Sequence, residues 1–223
     1  MSVKAADAVK IVLVGDSGVG KTSFLYSYKA NLFPSDEEVP AILDSFVDLV
    51  VDEQGNEMAV EMWDVGGSNN YRVLRPMIYR DVHCVVMCFA IDDLHSLRSL
   101  RDDWVNELEG ALGAEEWLKV PKLIVGMKSD FRLDGAPGLV SIDDVTRVFP
   151  QLLQQEDRFI NYVECSAKTQ EGEAAVFAEA VAPAQVFKGE DKGGRNAARL
   201  QFFLLLGGVV ALVIIFVNWH VGL

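Results

Sequence analysis

Short apolar runs alternate with longer mixed stretches along most of the chain. Six runs read as strands, at Val9–Val14, Phe46–Val51, Met58–Met62, Val82–Ile91, Lys122–Val125 and Ile160–Glu164. Four intervening stretches have helical length and patterning: Lys21–Asn31, Ser96–Leu112, Ser141–Gln155 and Gly172–Phe187. Glu53, Gln54, Gly55 and Asn56 read as a hairpin turn, so the second and third strands should pair antiparallel. Helices separate the other strands, which predicts right-handed crossovers and a mostly parallel sheet. Val85, Val86, Met87 and Phe89 lie in a continuous apolar run, as a strand buried on both faces requires. The expected class is α/β.

The pattern changes beyond Phe187. The stretch KGEDKGGRNAAR is charged, Gly-rich and free of aromatics, and reads as a flexible tether. It is followed by FFLLLGGVVALVIIFV, Phe202–Val217, sixteen residues without a charge. With Leu200, Gln201 and the closing NWHVGL, this run is just long enough to cross a bilayer. It is apolar on every face, whereas a core-packed helix would keep a polar stripe. Trp219 suits the far interface, and Gly207-Gly208 would permit close helix packing. Lys188, Lys192, Arg195 and Arg199 precede the run and no Lys or Arg follows it, which places the folded part in the cytosol. The expected organisation is a domain over 1–187, a juxtamembrane linker over 188–200 and a transmembrane helix over 201–221. That makes a single-pass tail anchor on the cytosolic face of an intracellular membrane. High hydrophobicity without trailing basic residues favours the endoplasmic reticulum or secretory membranes over the mitochondrial outer membrane. The start, MSVKAADAVK, has no apolar core of a cleaved signal peptide.

A formal net charge of −13 argues against binding a nucleic-acid backbone. Cys84, Cys88 and Cys165 have no metal-ligand spacing. Cys84 and Cys88 fall on one face of their strand and read as buried free thiols in a reducing compartment.

The first strand runs directly into GDSGVGKT, residues 15–22, and then into a helix. This is the G-x-x-x-x-G-K-[ST] phosphate loop in its required context. Gly15, Gly18 and Gly20 let the backbone wrap a phosphate chain, with Asp16, Ser17, Val19 and Ser23 completing the cradle. Lys21 would reach the β- and γ-phosphates, Thr22 Oγ1 would ligate Mg²⁺, and the helix N-terminus adds positive potential. The bland alternative is a Gly-rich turn with an incidental Lys. Asp64 and Gly67 form D-x-x-G after the third strand. An Asp there is by itself an ordinary turn residue. Beside a phosphate loop it reads as a water-mediated Mg²⁺ contact, with the Gly67 N–H meeting a γ-phosphate.

Two further motifs follow strands: Gly126-Met127-Lys128-Ser129-Asp130 and Glu164-Cys165-Ser166-Ala167-Lys168. With GDSGVGKT and WDVGG they resemble the nucleotide-binding elements of the Ras superfamily of small GTPases. The resemblance covers residues 9 to 187 and implies a three-layer P-loop NTPase fold of Ras type, with a six-stranded mostly parallel sheet and one antiparallel strand. It implies GTP/GDP and Mg²⁺ as cofactors. Asp130 would accept from guanine N1 and N2, Lys128 would lie over the ring, and the Ala167 N–H would donate to O6, flanked by Ser166 and Lys168. An acceptor-only carboxylate matches guanine's donors and opposes adenine. Tyr71–Pro76 with Tyr79 resembles switch II of the Rho branch, and Val39-Pro40, Asp44 and Phe46 resemble its switch I. Effectors and regulators would dock through the switches at 33–46 and 64–80. The 131–150 segment looks shorter than the charged helical insert of Rho proteins.

The chain also departs from that pattern. Ala41 stands where the Rho switch I has a Mg²⁺-ligating Thr, and Ser45 lies too far along to replace it. Asp36, Glu37 and Glu38 occupy the region of the usual Tyr lid, while Phe33 keeps an aromatic beside the base. Ser68 stands where the family places the Gln that orients attacking water. Serine is shorter and lacks the paired carbonyl and amide, a loss that costs a few orders of magnitude in rate. Asn69 or Asn70 is the alternative positioning group. The catalytic candidates are Lys21, Thr22, Gly67 and Ser68, and the metal candidates Thr22 and Asp64. Arg72, Arg75 and Arg80 read as surface or partner-facing residues, His83, His95 and His220 as structural, and Trp104 and Trp117 as packing. No Cys follows Cys165, so the apolar helix takes the place of a prenyl group. Two readings stand: a membrane-anchored guanine-nucleotide switch with slow hydrolysis, or a constitutively GTP-bound scaffold. A membrane-spanning interaction protein with little nucleotide binding is a weaker third, opposed by the intact phosphate loop.

Overall fold

The structure, a computed structural model, describes residues 8–34, 45–51, 57–68, 72–154 and 158–191. Its strands are β1 (Val9–Val14), β2 (Ser45–Val51), β3 (Glu57–Asp64), β4 (Cys84–Ala90), β5 (Lys122–Met127) and β6 (Phe159–Cys165). They form one sheet in the order β2-β3-β1-β4-β5-β6. β2 and β3 pair antiparallel, with Phe46 opposite Met62, and all other pairs are parallel. The turn expected at 53–56 lies outside the described residues, but the antiparallel pairing it implied is present. The parallel strands send their C-terminal ends to one edge, where the connecting loops gather.

Successive β1 side chains alternate between two cores, as strand geometry demands. Ile11 and Leu13 pack with Phe24, Met62, Val86 and Phe177 on one face of the sheet. Val12 and Val14 pack with Met87, Leu97 and Trp104 on the other. Helices therefore cover both faces and the sheet is the middle of three layers. Cys84, Cys88 and Cys165 are all buried free thiols in the first core, with Cys84 and Cys88 on the shared face anticipated for them.

The helices are α1 (Lys21–Ala30), α2 (Arg75–Ile78), α3 (Leu94–Ser99), α4 (Val105–Leu112), α5 (Ala114–Lys119), α6 (Asp130–Leu133), α7 (Ile142–Val148), α8 (Gln151–Gln154) and α9 (Glu173–Asp191). The stretch read as one helix over 96–112 begins at Leu94, where the Asp93 side chain caps by accepting from the His95 N–H. A π turn over Leu100–Trp104 joins α3 to α4. The stretch read as one helix over 141–155 is two, α7 and α8, parted at Phe149-Pro150. Proline supplies no N–H and disfavours a helical residue before it, and Phe149 sits at φ −123°, ψ 72°. Ser141 and Asp144 form a reciprocal capping box at the start of α7. The polar, short α5 was not anticipated.

The chain divides into two compact units, 1–188 and 189–223. α9 continues to Asp191, so the first residues of the expected tether are helical. The rest of the tether and the apolar run over 201–221 lie outside the described residues. Among those described, no helix is long and apolar enough to cross a membrane.

Candidate functional site

The phosphate-loop sequence leaves β1 through a passage only glycine fits. Gly15 has φ 141°, and a Cβ there would stand 2.0 Å from the Cys88 carbonyl oxygen of β4. The loop ends at Gly20, the N-cap of α1. Lys21 folds back beneath it, donating from Nζ to Gly15 O at 2.6 Å and Asp16 O at 2.9 Å. Burial lowers the Lys21 pKa, against the opposing pull of Asp64 and Asp16. Thr22 Oγ1 donates directly to Asp64 Oδ2, so the two metal candidates converge. Val65 N donates to Leu13 O at 3.1 Å as β3 ends. Gly67 then lies on the phosphate loop so closely that a Cβ would be 2.4 Å from Ser17 N. The second of the two glycines after Asp64 is thus a close-approach requirement.

Asp16 is anchored from the far side. Its Oδ1 accepts from Ser99 Oγ and from Trp104 Nε1, each at 2.8 Å. Ser99 and Trp104 are five residues apart, and the π turn between them places both on one face. Trp104, expected only to pack, is also a donor to the phosphate loop.

Arg75 is not at the surface. It is 3% exposed, and Nε donates to Gly66 O at 3.0 Å while Nη2 donates to Ser68 O at 2.8 Å. Nη1 meets Glu107 Oε2 at 2.9 Å, and the Tyr79 hydroxyl donates to Glu107 Oε1 at 2.7 Å. Burial and then Glu107 raise the Tyr79 pKa. The surface reading therefore fails for Arg75, because its fork is matched by two carbonyls and a carboxylate. It fits Arg72 and Arg80, which are exposed. His83 is structural as expected, its Nδ1 accepting from Lys10 N at 2.9 Å.

Beside the phosphate loop opens a cavity of about 310 Å³, lined by Gly20, Ser23, Phe33, Lys128, Asp130 and Ala167 among others. Asp130 Oδ1 accepts from Ser166 Oγ at 2.6 Å, and Oδ2 lies 3.6 Å from Lys168 Nζ. Ser129 N donates to Cys165 O at 3.0 Å, tying the two motif loops together. Lys128 adopts φ 65° and pairs with Asp92 at 3.5 Å. A non-glycine residue held there costs on the order of 1 kcal/mol and persists where its surroundings enforce it. Arg132 bridges Glu164 and the Val140 carbonyl, with Nη2 at 2.6 Å from each. Met127 is buried, its Sδ 3.4 Å from Cys165 Sγ. The Ser27 hydroxyl of α1 donates to Ala167 O at 2.9 Å. Asp92, Phe131, Arg132 and Ser27 were not singled out from the sequence. Phe131 lines the cavity and adjoins Asp130, the one signal that could have found it.

The structure thus gathers Gly15 through Ser23 with Asp64 and Gly67 in one place, and Phe33, Lys128, Asp130, Ser166, Ala167 and Lys168 beside it. Ala41, Asp36, Glu37, Glu38, Asn69 and Asn70 lie outside the described residues. The donor set fits a phosphate chain with a divalent ion. Thr22 and Asp64 offer two oxygens, and no cluster of three His, Cys, Asp or Glu among the described residues offers a closed site. Such an ion draws its other oxygens from phosphate and water, as Mg²⁺ does.

A Ras family sequence model matches residues 10–185. The GTP-binding protein rho1 of Schizosaccharomyces pombe is 33% identical over 184 residues, covering 79% of this chain and 86% of that protein. The Rho-related protein racE of Dictyostelium discoideum is 32% identical over 196 residues, 86% of this chain and 84% of its own. The GTP-binding protein RHO4 of Eremothecium gossypii is 34% identical over 174 residues, 78% and 63% respectively. Sheet order, motif order and these similarities agree: the chain belongs to the Ras family and has Rho-type homologues.

Proposed function

We propose that the protein is a membrane-anchored guanine-nucleotide switch that holds GTP or GDP with Mg²⁺ and hydrolyses GTP slowly. The observation that carries this is the pairing of a glycine phosphate cradle with Asp130, whose carboxylate borders the adjoining cavity and is oriented by Ser166. Asp130 accepts from guanine's two donor groups, Lys128 lies along the ring and Ala167 offers its N–H to O6. Lys21 exchanges its two loop carbonyls for phosphate oxygens. Thr22 and Asp64 hold the ion, which supplies positive charge against the phosphates when bound. Gly67 positions its N–H at the terminal phosphate, and Ser68 is a poor orienter of water because its hydroxyl is short and single.

Exposed Val73, Leu74 and Met77 around α2 offer an apolar face for effectors and regulators. The 201–221 run supplies the bilayer anchor, on sequence grounds, with the domain facing the cytosol at endoplasmic-reticulum or secretory membranes. The scaffold reading gains from Arg75, which holds the Gly66 and Ser68 carbonyls in place.

The test is equilibrium titration of the full-length chain, in detergent, with fluorescent GDP and ADP analogues in excess Mg²⁺. Tight GDP binding with negligible ADP binding is expected; equal affinities would defeat the assignment of Asp130.

A further inference from the structure

Glu173 opens α9 directly after the loop that follows β6, yet it is 5% exposed. Its Oε1 has no hydrogen-bond partner, and among the described residues no Lys or Arg pairs with it. Its carboxyl lies against Ser27 of α1. The other titratable groups facing it are Tyr28 on α1 and Cys165 at the end of β6, both kept neutral by burial. An ionised carboxylate with an oxygen unserved in such surroundings is costly, and burial favours the protonated acid.

Ser27 is fully buried, and its hydroxyl has one proton to give. If that proton goes to Ala167 O, Ser27 Oγ is left to accept, and only a protonated Glu173 can donate to it. If Glu173 is ionised it can only accept, so the Ser27 O–H turns to its carboxylate and Ala167 O is left without its donor. Ala167 belongs to the segment that lines the cavity.

We propose that Glu173 is a positioning residue for the base-side segment Ser166–Lys168, acting through the Ser27 hydroxyl. Protonated, it leaves that hydroxyl on Ala167 O; ionised, it draws the hydroxyl away and loosens the segment. This rests on the guanine-nucleotide reading, under which Ala167 meets the base.

The experiment follows release of a fluorescent GDP analogue from the full-length chain in detergent and excess Mg²⁺, chased with GDP, from about pH 5 to pH 8. Wild type should release about fivefold faster as pH rises, the equivalent of one hydrogen bond. Glu173→Gln keeps a donor toward Ser27 at every pH and should hold the slow rate throughout. Glu173→Leu, which removes the competing acceptor, should also be slow and pH-independent, and Ser27→Ala fast and pH-independent. A packing role alone would shift rates equally at every pH. Coincident wild-type and Glu173→Gln profiles, or a flat wild-type profile, overturn the positioning role. Failure of wild type to bind the analogue at all overturns the nucleotide reading and this inference with it.

Discussion

The Arg75 guanidinium lies 4.3 Å from the centre of the Trp104 ring, whose Nε1–H is given to Asp16. One indole therefore touches the phosphate loop with its edge and supports the D-x-x-G loop, through Arg75, with its face. Arg75→Ala takes from Glu107 its buried cation, leaving it the Tyr79 hydroxyl and the exposed Arg72, and strips donors from Gly66 O and Ser68 O. Stability should fall by about 3 kcal/mol in denaturant unfolding. Arg75→Lys should recover little, because an ammonium can neither fork nor stack in that way. A loss under about 1 kcal/mol would contradict the burial described.

The three thiols should be inert in the native state. Burial pushes Cys88 up to about 12 and raises Cys84 and Cys165 as well, so almost no thiolate exists near neutral pH. A colourimetric thiol reagent should label none of them until denaturant is added. Rapid labelling of the folded chain would show that one is accessible.

Asp130→Asn should weaken guanine nucleotide binding about 100-fold, since an amide offers one acceptor where the carboxylate offers only acceptors. The same variant should gain affinity for xanthine nucleotides, whose carbonyl at C2 accepts from the new N–H. Competition between GDP and xanthosine diphosphate reads both effects, and an unchanged order of preference would remove Asp130 from the base site.

Ser68→Gln combined with Ala41→Thr should raise single-turnover GTP hydrolysis by one to a few orders of magnitude, roughly the range lost with such groups. Either change alone should give less, because water positioning and ion coordination act together. An unchanged rate in the double variant would place the deficit elsewhere.

Much of this was legible in the residues. The phosphate loop and the two base-side motifs are local patterns that need particular residue types at fixed spacing, so they point to their own geometry. Apolar runs likewise located the strands. Burial on both faces marks β4 and β5, while β2, at the sheet edge with Val47 and Leu49 exposed, was legible from its β-branched and apolar content. Arg75 was misread because nothing in its local sequence, VLRPMIY, marks a buried cation, and its partner Glu107 lies 32 residues further along. The π turn was invisible for a related reason: no local signal in LRDDW demands a wider turn, and Asp16 shows its use only once Ser99 and Trp104 are seen to reach it. Pro150 does carry a local signal, and the helix read through it should have been ended there. Glu173 looks like an ordinary first-turn acid until its burial against Ser27 is known.

The most direct measurement is the nucleotide content of freshly purified full-length chain, released by denaturation and separated by chromatography, before and after incubation with GTP and Mg²⁺. About one guanine nucleotide per chain, with GTP passing slowly to GDP, is the predicted result. An empty chain, or one loaded with adenine nucleotide, would contradict the account, and bound GTP that never turns over would leave the scaffold in place of the switch.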